Sequence, residues 1–241
     1  MIKINNLSFS FENKVLFDNV SLEIPNNKLT ILTGCNGTGK TSLFKIIMGD
    51  IKPVNFDFHS TFKKIFFLPQ KIKYPEGLTL FEYVTSFYYS NSFKWFISEE
   101  EKIKTLEILD LLELTSCKDV LIENLSSGEL QKANIAMALI SNADLLLLDE
   151  PTSNMDLVNQ IKVLDILKKL VLNNGISCAL ILHDLNLAAK YGENFIGINQ
   201  DKSLIQTDKN QFFNEKILKN IYNINFRVEK DNENYNIQIA D

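Results

Sequence analysis

The chain has 241 residues, 45% hydrophobic and 23% charged, enough for one globular domain with an insertion or for two small lobes. The formal net charge of −5 gives no support to nucleic-acid binding, and no apolar run approaches the ~18 residues of a membrane span. Met1 to Asn5 lack the apolar core of a secretion signal, and Cys35, Cys117 and Cys178 are odd in number and far apart, so the expectation is a cytosolic chain with free thiols, neither disulfide frame nor zinc site.

The first predicted elements are strands. Ile2 to Phe11, Lys14 to Phe17 and the alternating Val20 to Ile24 suggest an antiparallel sheet. Phe9 and Phe11 would share one face, and one aromatic there could stack on a purine. Phe9 fits an ordinary core position better than Phe11, which ends the strand beside polar Glu12 and Asn13.

Leu29 to Thr33 read as a buried strand and Ser42 to Met48 as a helix closed by Gly49. Between them lies Gly34-Cys35-Asn36-Gly37-Thr38-Gly39-Lys40-Thr41, which matches the phosphate-cradling pattern G-x-x-x-x-G-K-[ST] in the strand–loop–helix context it needs. Glycines let successive backbone N–H groups converge on an anion, and the helix N-terminus adds partial positive charge. Lys40 is the point charge for the β- and γ-phosphates, and Thr41 offers a hydroxyl ligand for Mg²⁺. Cys35 is expected inside the cradle, where a bulky thiol reagent would block hydrolysis.

Val54 to Phe58 and Lys64 to Leu68 are predicted strands, with His59 in an exposed polar turn between them and without a role. The second runs into Pro69-Gln70, which puts a polar amide at a strand's C-terminal end, where α/β sheets bind ligands. From Thr79 to about Glu123 the pattern turns helical. Thr79 and Glu82 form a capping-box pair, and Ile103, Leu106, Leu109 and Leu112 recur at helical spacing. Phe87, Tyr88, Tyr89, Phe93, Trp95 and Phe96 form an aromatic cluster, read as the core of a small helical lobe or, in part, as a face for a partner.

Ser126 is placed to cap a long helix with Glu129 as its capping-box partner. That helix start is either a cap alone or a second phosphate-facing N-terminus, with Gly128 permitting close backbone approach. Leu145 to Leu148 suit a parallel strand covered on both faces, and the strand ends in Asp149 and Glu150. Period two sends these carboxylates to opposite sides of the tip, Asp149 toward the Mg²⁺ environment and Glu150 toward a water. Ser153 to Asp156 lead into an amphipathic helix carrying Ile161, Leu164, Ile166 and Leu170. Ser177 to Leu182 form another buried strand, ending in His183, which this position marks as a polar ligand. Strands at 195–199 and 203–206, a helix at 215–222 and a hairpin turning at 231–234 complete the chain.

Taken together, these motifs resemble the ATP-binding subunit of an ABC transporter over essentially the full length. The phosphate loop is similar to its Walker A, Gln70 to its Q-loop, Leu125 to Glu129 to its signature segment, and Leu145 to Glu150 to its Walker B strand and catalytic glutamate. Ser153 to Asp156 resemble the D-loop, His183 the switch histidine, and Phe11 the adenine-stacking aromatic. Ser127 and Glu129 depart from the usual L-S-G-G-Q, Cys35 replaces a usual proline, and Ile51 to Lys64 is shorter than usual; none of these removes a reacting group. His183 to Ala189 and Ile217 to Ile224 look like importers of iron chelates, haem or cobalamin, a pattern that zinc and manganese importers largely share.

The resemblance implies an α/β fold: a P-loop core with a mixed sheet, an antiparallel β subdomain and an inserted helical subdomain. Residues 1–70 and 125–241 would form the core and 71–124 the helical part. It implies ATP held by Gly34 through Ser42 and stacked on Phe11, with Ser126, Gly128 and Asp156 of a second, head-to-tail copy completing the site. Thr41 and Gln70 would bind Mg²⁺ with Asp149 in its outer shell. Lys40, Gln70, Glu150 and His183 would carry the hydrolysis. The partners implied are a permease, met through the helical subdomain at the cytoplasmic face of the membrane, and a substrate-binding protein. Repair or chromosome ATPases of this family carry long coiled-coil insertions, for which Gln70 to Leu125 is too short. Translation factors carry two cassettes, and here each motif occurs once. Export cassettes share every catalytic residue.

Overall fold

The computed structural model describes residues 1–12, 14–53, 55–91, 96–232 and 234–240. Strands β1 (Ile2–Phe11) and β2 (Lys14–Ile24) lead into β3 (Leu29–Gly34), after which the phosphate loop opens α1 (Lys40–Met48). β4 (Asn55–Ser60) and β5 (Ile65–Leu68) precede α2 (Leu80–Asn91) and α3 (Glu99–Leu111). Then come α4 (Ser127–Ile140), β6 (Leu145–Asp149), α5 (Leu157–Asn174), β7 (Ser177–Ile181) and α6 (Leu185–Tyr191). β8 (Asn194–Ile198), β9 (Leu204–Thr207), α7 (Lys209–Phe212), α8 (Glu215–Tyr222), β10 (Phe226–Asp231) and β11 (Asn234–Ile239) end the order.

The main sheet runs β5-β6-β7-β3-β8-β9, parallel except for β9. Alternation along its central strands divides the interior in two. Leu146 and Leu148 of β6, with Cys178 and Leu180 of β7, face the layer of α4, α5 and α6. Leu145, Leu147, Ala179 and Ile181 face the layer formed by α1 and the antiparallel sheet. A period of two with both faces covered is why these strands read as unbroken apolar runs. The antiparallel sheet has the order β2-β1-β4 and supplies Ile2, Ile4, Phe17 and Leu22 to the second core. α2 and α3 both pack on α4.

Several sequence expectations shift. His59 is not in a turn; it lies within β4, paired with Lys3, and remains exposed because β4 edges a sheet whose other face is wet. The Val54 start predicted for that strand lies outside the described residues. On α3, Leu109 and Leu112 are buried, but Ile103 is 56% and Leu106 39% exposed. The inward face of that helix runs through Thr105 and Leu109, one helical turn apart, and Thr105 tolerates burial there because its hydroxyl donates to the Glu101 carbonyl at 2.8 Å. In the aromatic cluster, Phe87 and Tyr88 pack against the first core, with Phe87 edge-on to Phe66 at 5.6 Å, whereas Phe96 is 85% exposed. Phe93, Trp95 and the side chain of Tyr89 lie outside the described residues. The short helix α7 lacks a periodic signal and was not anticipated. The terminal hairpin pairs Asp231 with Asn234, as its turn residues imply.

Candidate functional site

Three strand ends meet at one edge of the main sheet. β3 delivers the phosphate loop, β6 delivers Asp149 and Glu150, and β7 delivers His183. Parallel neighbours bring their C-terminal ends together, and this is where an α/β sheet opens a ligand crevice. The crevice is a cleft of about 750 Å³ whose lining includes Phe11, Asn36, Gly37, Gly39, Lys40, Thr41, Ser42, Gln70, Glu150 and His183.

The loop is shaped by backbone that only glycine adopts freely. Gly39 has φ +108°, and a Cβ there would sit 2.9 Å from the Phe17 ring. Lys40 is buried, and its ammonium donates to the carbonyls of Gly34 at 2.8 Å and Cys35 at 2.9 Å. Burial lowers its pKa, and the carboxylates of Glu150 and Asp149 partly offset this. The charge is thus held inside the loop, against its own carbonyls. Thr38 Oγ1 donates to the Cys35 carbonyl at 2.9 Å and fixes the bend.

The Thr41 hydroxyl donates to Asp149 Oδ2 at 2.6 Å. Asp149 is buried, and desolvation raises its pKa more than the Thr41 hydrogen bond lowers it. A hydroxyl and a carboxylate oxygen side by side form the hard oxygen donor set that suits Mg²⁺. Among the described residues no group of three or more His, Cys, Asp or Glu forms a closed metal cage.

Glu150 lies just beyond β6. Its backbone is left-handed, φ +52°, so the direction of its side chain follows from this turn and not from the strand alternation expected for it. Gln70 Nε2 donates to Glu150 Oε2 at 2.6 Å, and His183 Nε2 contacts Oε1 at 2.7 Å. Two residues, one following β5 and one following β7, therefore converge on the carboxylate at the end of β6.

Other residues fall elsewhere. Phe11 is 56% exposed at the cleft rim, while Phe9 packs partly buried on the second core. Cys35 keeps its backbone in the loop, but its thiol does not enter the cradle expected for it. Sγ lies 3.5 Å from the Ile221 carbonyl at the end of α8, because the side chain points to the loop's outer side. Ser126 caps α4, with Glu129 N donating to its hydroxyl at 3.3 Å, and Gly128 lies beside the Asn154 carbonyl. Asp156 caps α5 by accepting from Asn159 N at 2.8 Å. Among the described residues, the cleft lining does not include Ser126, Gly128 or Asp156.

Residues not singled out in the sequence also line the cleft. Lys45 follows Thr41 by one helical turn, a spacing legible in the sequence. Lys14 reaches from the antiparallel sheet and donates to the Gly37 carbonyl at 3.0 Å; no local pattern announces such a contact between distant segments.

The glycine loop, its lysine and the carboxylates at the neighbouring strand end define a nucleoside-triphosphate-binding protein of the phosphate-loop class. The chain belongs to the ABC transporter family, whose family model matches residues 17–153. It is similar to the petrobactin import ATP-binding protein FpuD of Bacillus anthracis, 29% identical over 95% of this chain and 89% of that protein. It is 30% identical to the "Probable iron chelatin transport ATP-binding protein" of Helicobacter pylori, over 86% of each. A solved dimeric cassette, MJ0796 in a post-hydrolysis state bound to ADP and Pi, superimposes with a TM-score of 0.75 at 26% identity, covering 87% of this chain and 99% of that one. The protein is an ATP-binding, ATP-hydrolysing subunit. No described helix is long and apolar enough to cross a membrane.

Proposed function

We propose that this ATPase drives import of an iron chelate, haem or cobalamin through a membrane permease, as two copies facing head to tail. The observation that carries the chemistry is the convergence of Gln70 and His183 on Glu150, in the cleft that holds Lys40 and Thr41. ATP lies along the phosphate loop with its base against Phe11. Lys40 turns from the loop carbonyls to the β- and γ-phosphates. Thr41 and Gln70 would hold Mg²⁺, with Asp149 behind Thr41, and a bound ion would supply charge neutralisation on the phosphates. Glu150 orients the attacking water and accepts its proton as the bond between the γ-phosphorus and the leaving oxygen breaks. His183 steadies the γ-phosphate.

Arg227, the single arginine, lies in β10, away from the cleft lining, so no arginine finger comes from this chain. The N-terminus of the partner's α4, at Ser126 and Gly128, supplies positive potential instead. The segment 71–124 acts as the helical subdomain that meets the permease, packed through α2 and α3 on α4 of the core formed by residues 1–70 and 125–241. The cargo reading rests on the two curated relatives, named for petrobactin import and iron chelatin transport, and on the segments 183–189 and 217–224. A substrate-binding protein completes the importer, and the ATPase then works at the cytoplasmic face of the membrane through the permease.

Glu150→Gln tests the chemistry. ATP affinity should stay within about twofold while turnover falls at least about a hundredfold, since loss of a general base costs 10²–10⁴. Near-normal hydrolysis would remove Glu150 from the role. Co-purification with a many-span permease and a substrate-binding protein would support import; a permease alone, without any binding protein, would support export.

A further inference from the structure

We infer that Gln131 is a positioning residue that sets the direction of the Glu150 carboxylate. Gln131 lies near the N-terminal end of α4 and is 8% exposed. Its Nε2 donates to the Pro151 carbonyl at 3.0 Å and approaches the Glu150 carbonyl at 3.5 Å. It is absent from the described lining of the nucleotide cleft, and its hydrogen bonds toward the site go to this backbone.

The backbone needs holding. Glu150 sits at φ +52°, which side chains with a Cβ avoid, and it precedes a proline, which favours extended backbone at the preceding residue. Such a conformation persists only where its surroundings over-determine it. Ser153 N closes the turn on the Glu150 carbonyl at 3.1 Å. The next carbonyl, that of Pro151, is fixed from outside the turn by Gln131. With that donor removed, the Pro151 carbonyl loses this partner and the turn can relax toward extended backbone. Such a relaxation carries the Glu150 side chain away from Gln70 and His183. A misplacement of about 1 Å can lower a rate about a hundredfold.

α4 carries the Ser126 cap at its start and the Gln131 clamp just beyond it, so one helix joins the proposed contact with the partner's nucleotide to the catalytic carboxylate of its own subunit.

This inference rests on Glu150 acting on the water, so the experiment treats the two claims separately. ATP hydrolysis by the full chain is measured for wild type, Glu150→Gln, Gln131→Leu and the double variant, the slow ones by single turnover with labelled ATP. Gln131→Met, flexible and of similar volume, replaces Gln131→Leu if the latter does not fold. Gln131→Leu should lower kcat at least about tenfold with KM for ATP within about twofold, the split expected when only transition-state alignment is lost. In the Glu150→Gln background the same change should leave the residual rate within about twofold, because no carboxylate remains to be aimed. An unchanged kcat, a higher KM alone, or an equal loss in both backgrounds would overturn the inference and leave Gln131 a packing residue. Normal turnover by Glu150→Gln would instead overturn the reading on which it rests.

Discussion

At the scale of single residues, the charged side chains of the cleft are held by partners within the chain. Lys40 is tied to two carbonyls of its own loop, and Glu150 to Gln70 and His183. Both charges are thereby satisfied before ATP arrives, which removes the penalty of an unpaired charge in a partly enclosed cleft. Cys35 is the residue whose role changes most between sequence and structure. It occupies a loop position, but its thiol packs at the end of α8, near the carbonyls of Ile221 and Tyr222. The Tyr222 hydroxyl in turn contacts Thr33 Oγ1 at the end of β3, and burial pushes its pKa up to about 12. Cys35→Ala should therefore leave ATP affinity within about twofold, as for substitutions away from a contact, in a nucleotide titration. A tenfold loss would place the thiol in the cradle after all.

At the scale of elements, the start of α4 serves two ends. Ser126 and Glu129 cap each other: the serine hydroxyl and N–H donate to Glu129 Oε2 at 2.6 and 2.8 Å. These bonds, first that from the hydroxyl, hold the Glu129 carboxyl below its usual pKa. Ser126→Ala should cost about 1 kcal/mol in a urea titration, the usual value of such a cap. A carboxylate with a depressed folded pKa adds stability above its unfolded value and loses it as pH falls through the folded one. The stability gap between wild type and Glu129→Gln should accordingly be open at neutral pH and shrink on acidification below about pH 4.3, the ordinary glutamate value. A gap that does not move with pH would mean that the charge of Glu129 is not what supports the cap.

At the scale of the molecule, the cleft is built on one side only. Phe11, the phosphate loop and the β6 and β7 ends line it, while Ser126, Gly128 and Asp156 lie outside its lining. In the proposed head-to-tail pair those residues of the second copy lie over the nucleotide. Glu150→Gln, loaded with ATP, should sediment as a dimer and return to the monomer when ATP is removed, as expected when ligand binding and association are linked. Monomer at every ATP concentration would count against a nucleotide shared between copies.

Much of this was legible in the chain because it is local. The glycine loop needs particular residue types at fixed spacing, and covered parallel strands such as Leu145 to Leu148 need apolar residues on both faces. The capping pairs Thr79/Glu82 and Ser126/Glu129 are contacts between residues three apart, and each forms where the spacing placed it. What the chain could not announce depends on distant segments meeting. The exposed face of α3 is decided by which side α4 covers, so Ile103 and Leu106 carry helical spacing without burial. The same holds for Lys14 on the Gly37 carbonyl and Gln131 on the Pro151 carbonyl. The direction of Glu150 belongs there too: strand alternation stops at Asp149, and beyond it the left-handed turn, fixed from another helix, decides where the carboxylate points. Sequence alone determined which groups stand at the strand ends, because periodicity and turn chemistry act over a few residues. Only the tertiary structure decided how those groups face one another, because that follows from packing between elements far apart along the chain.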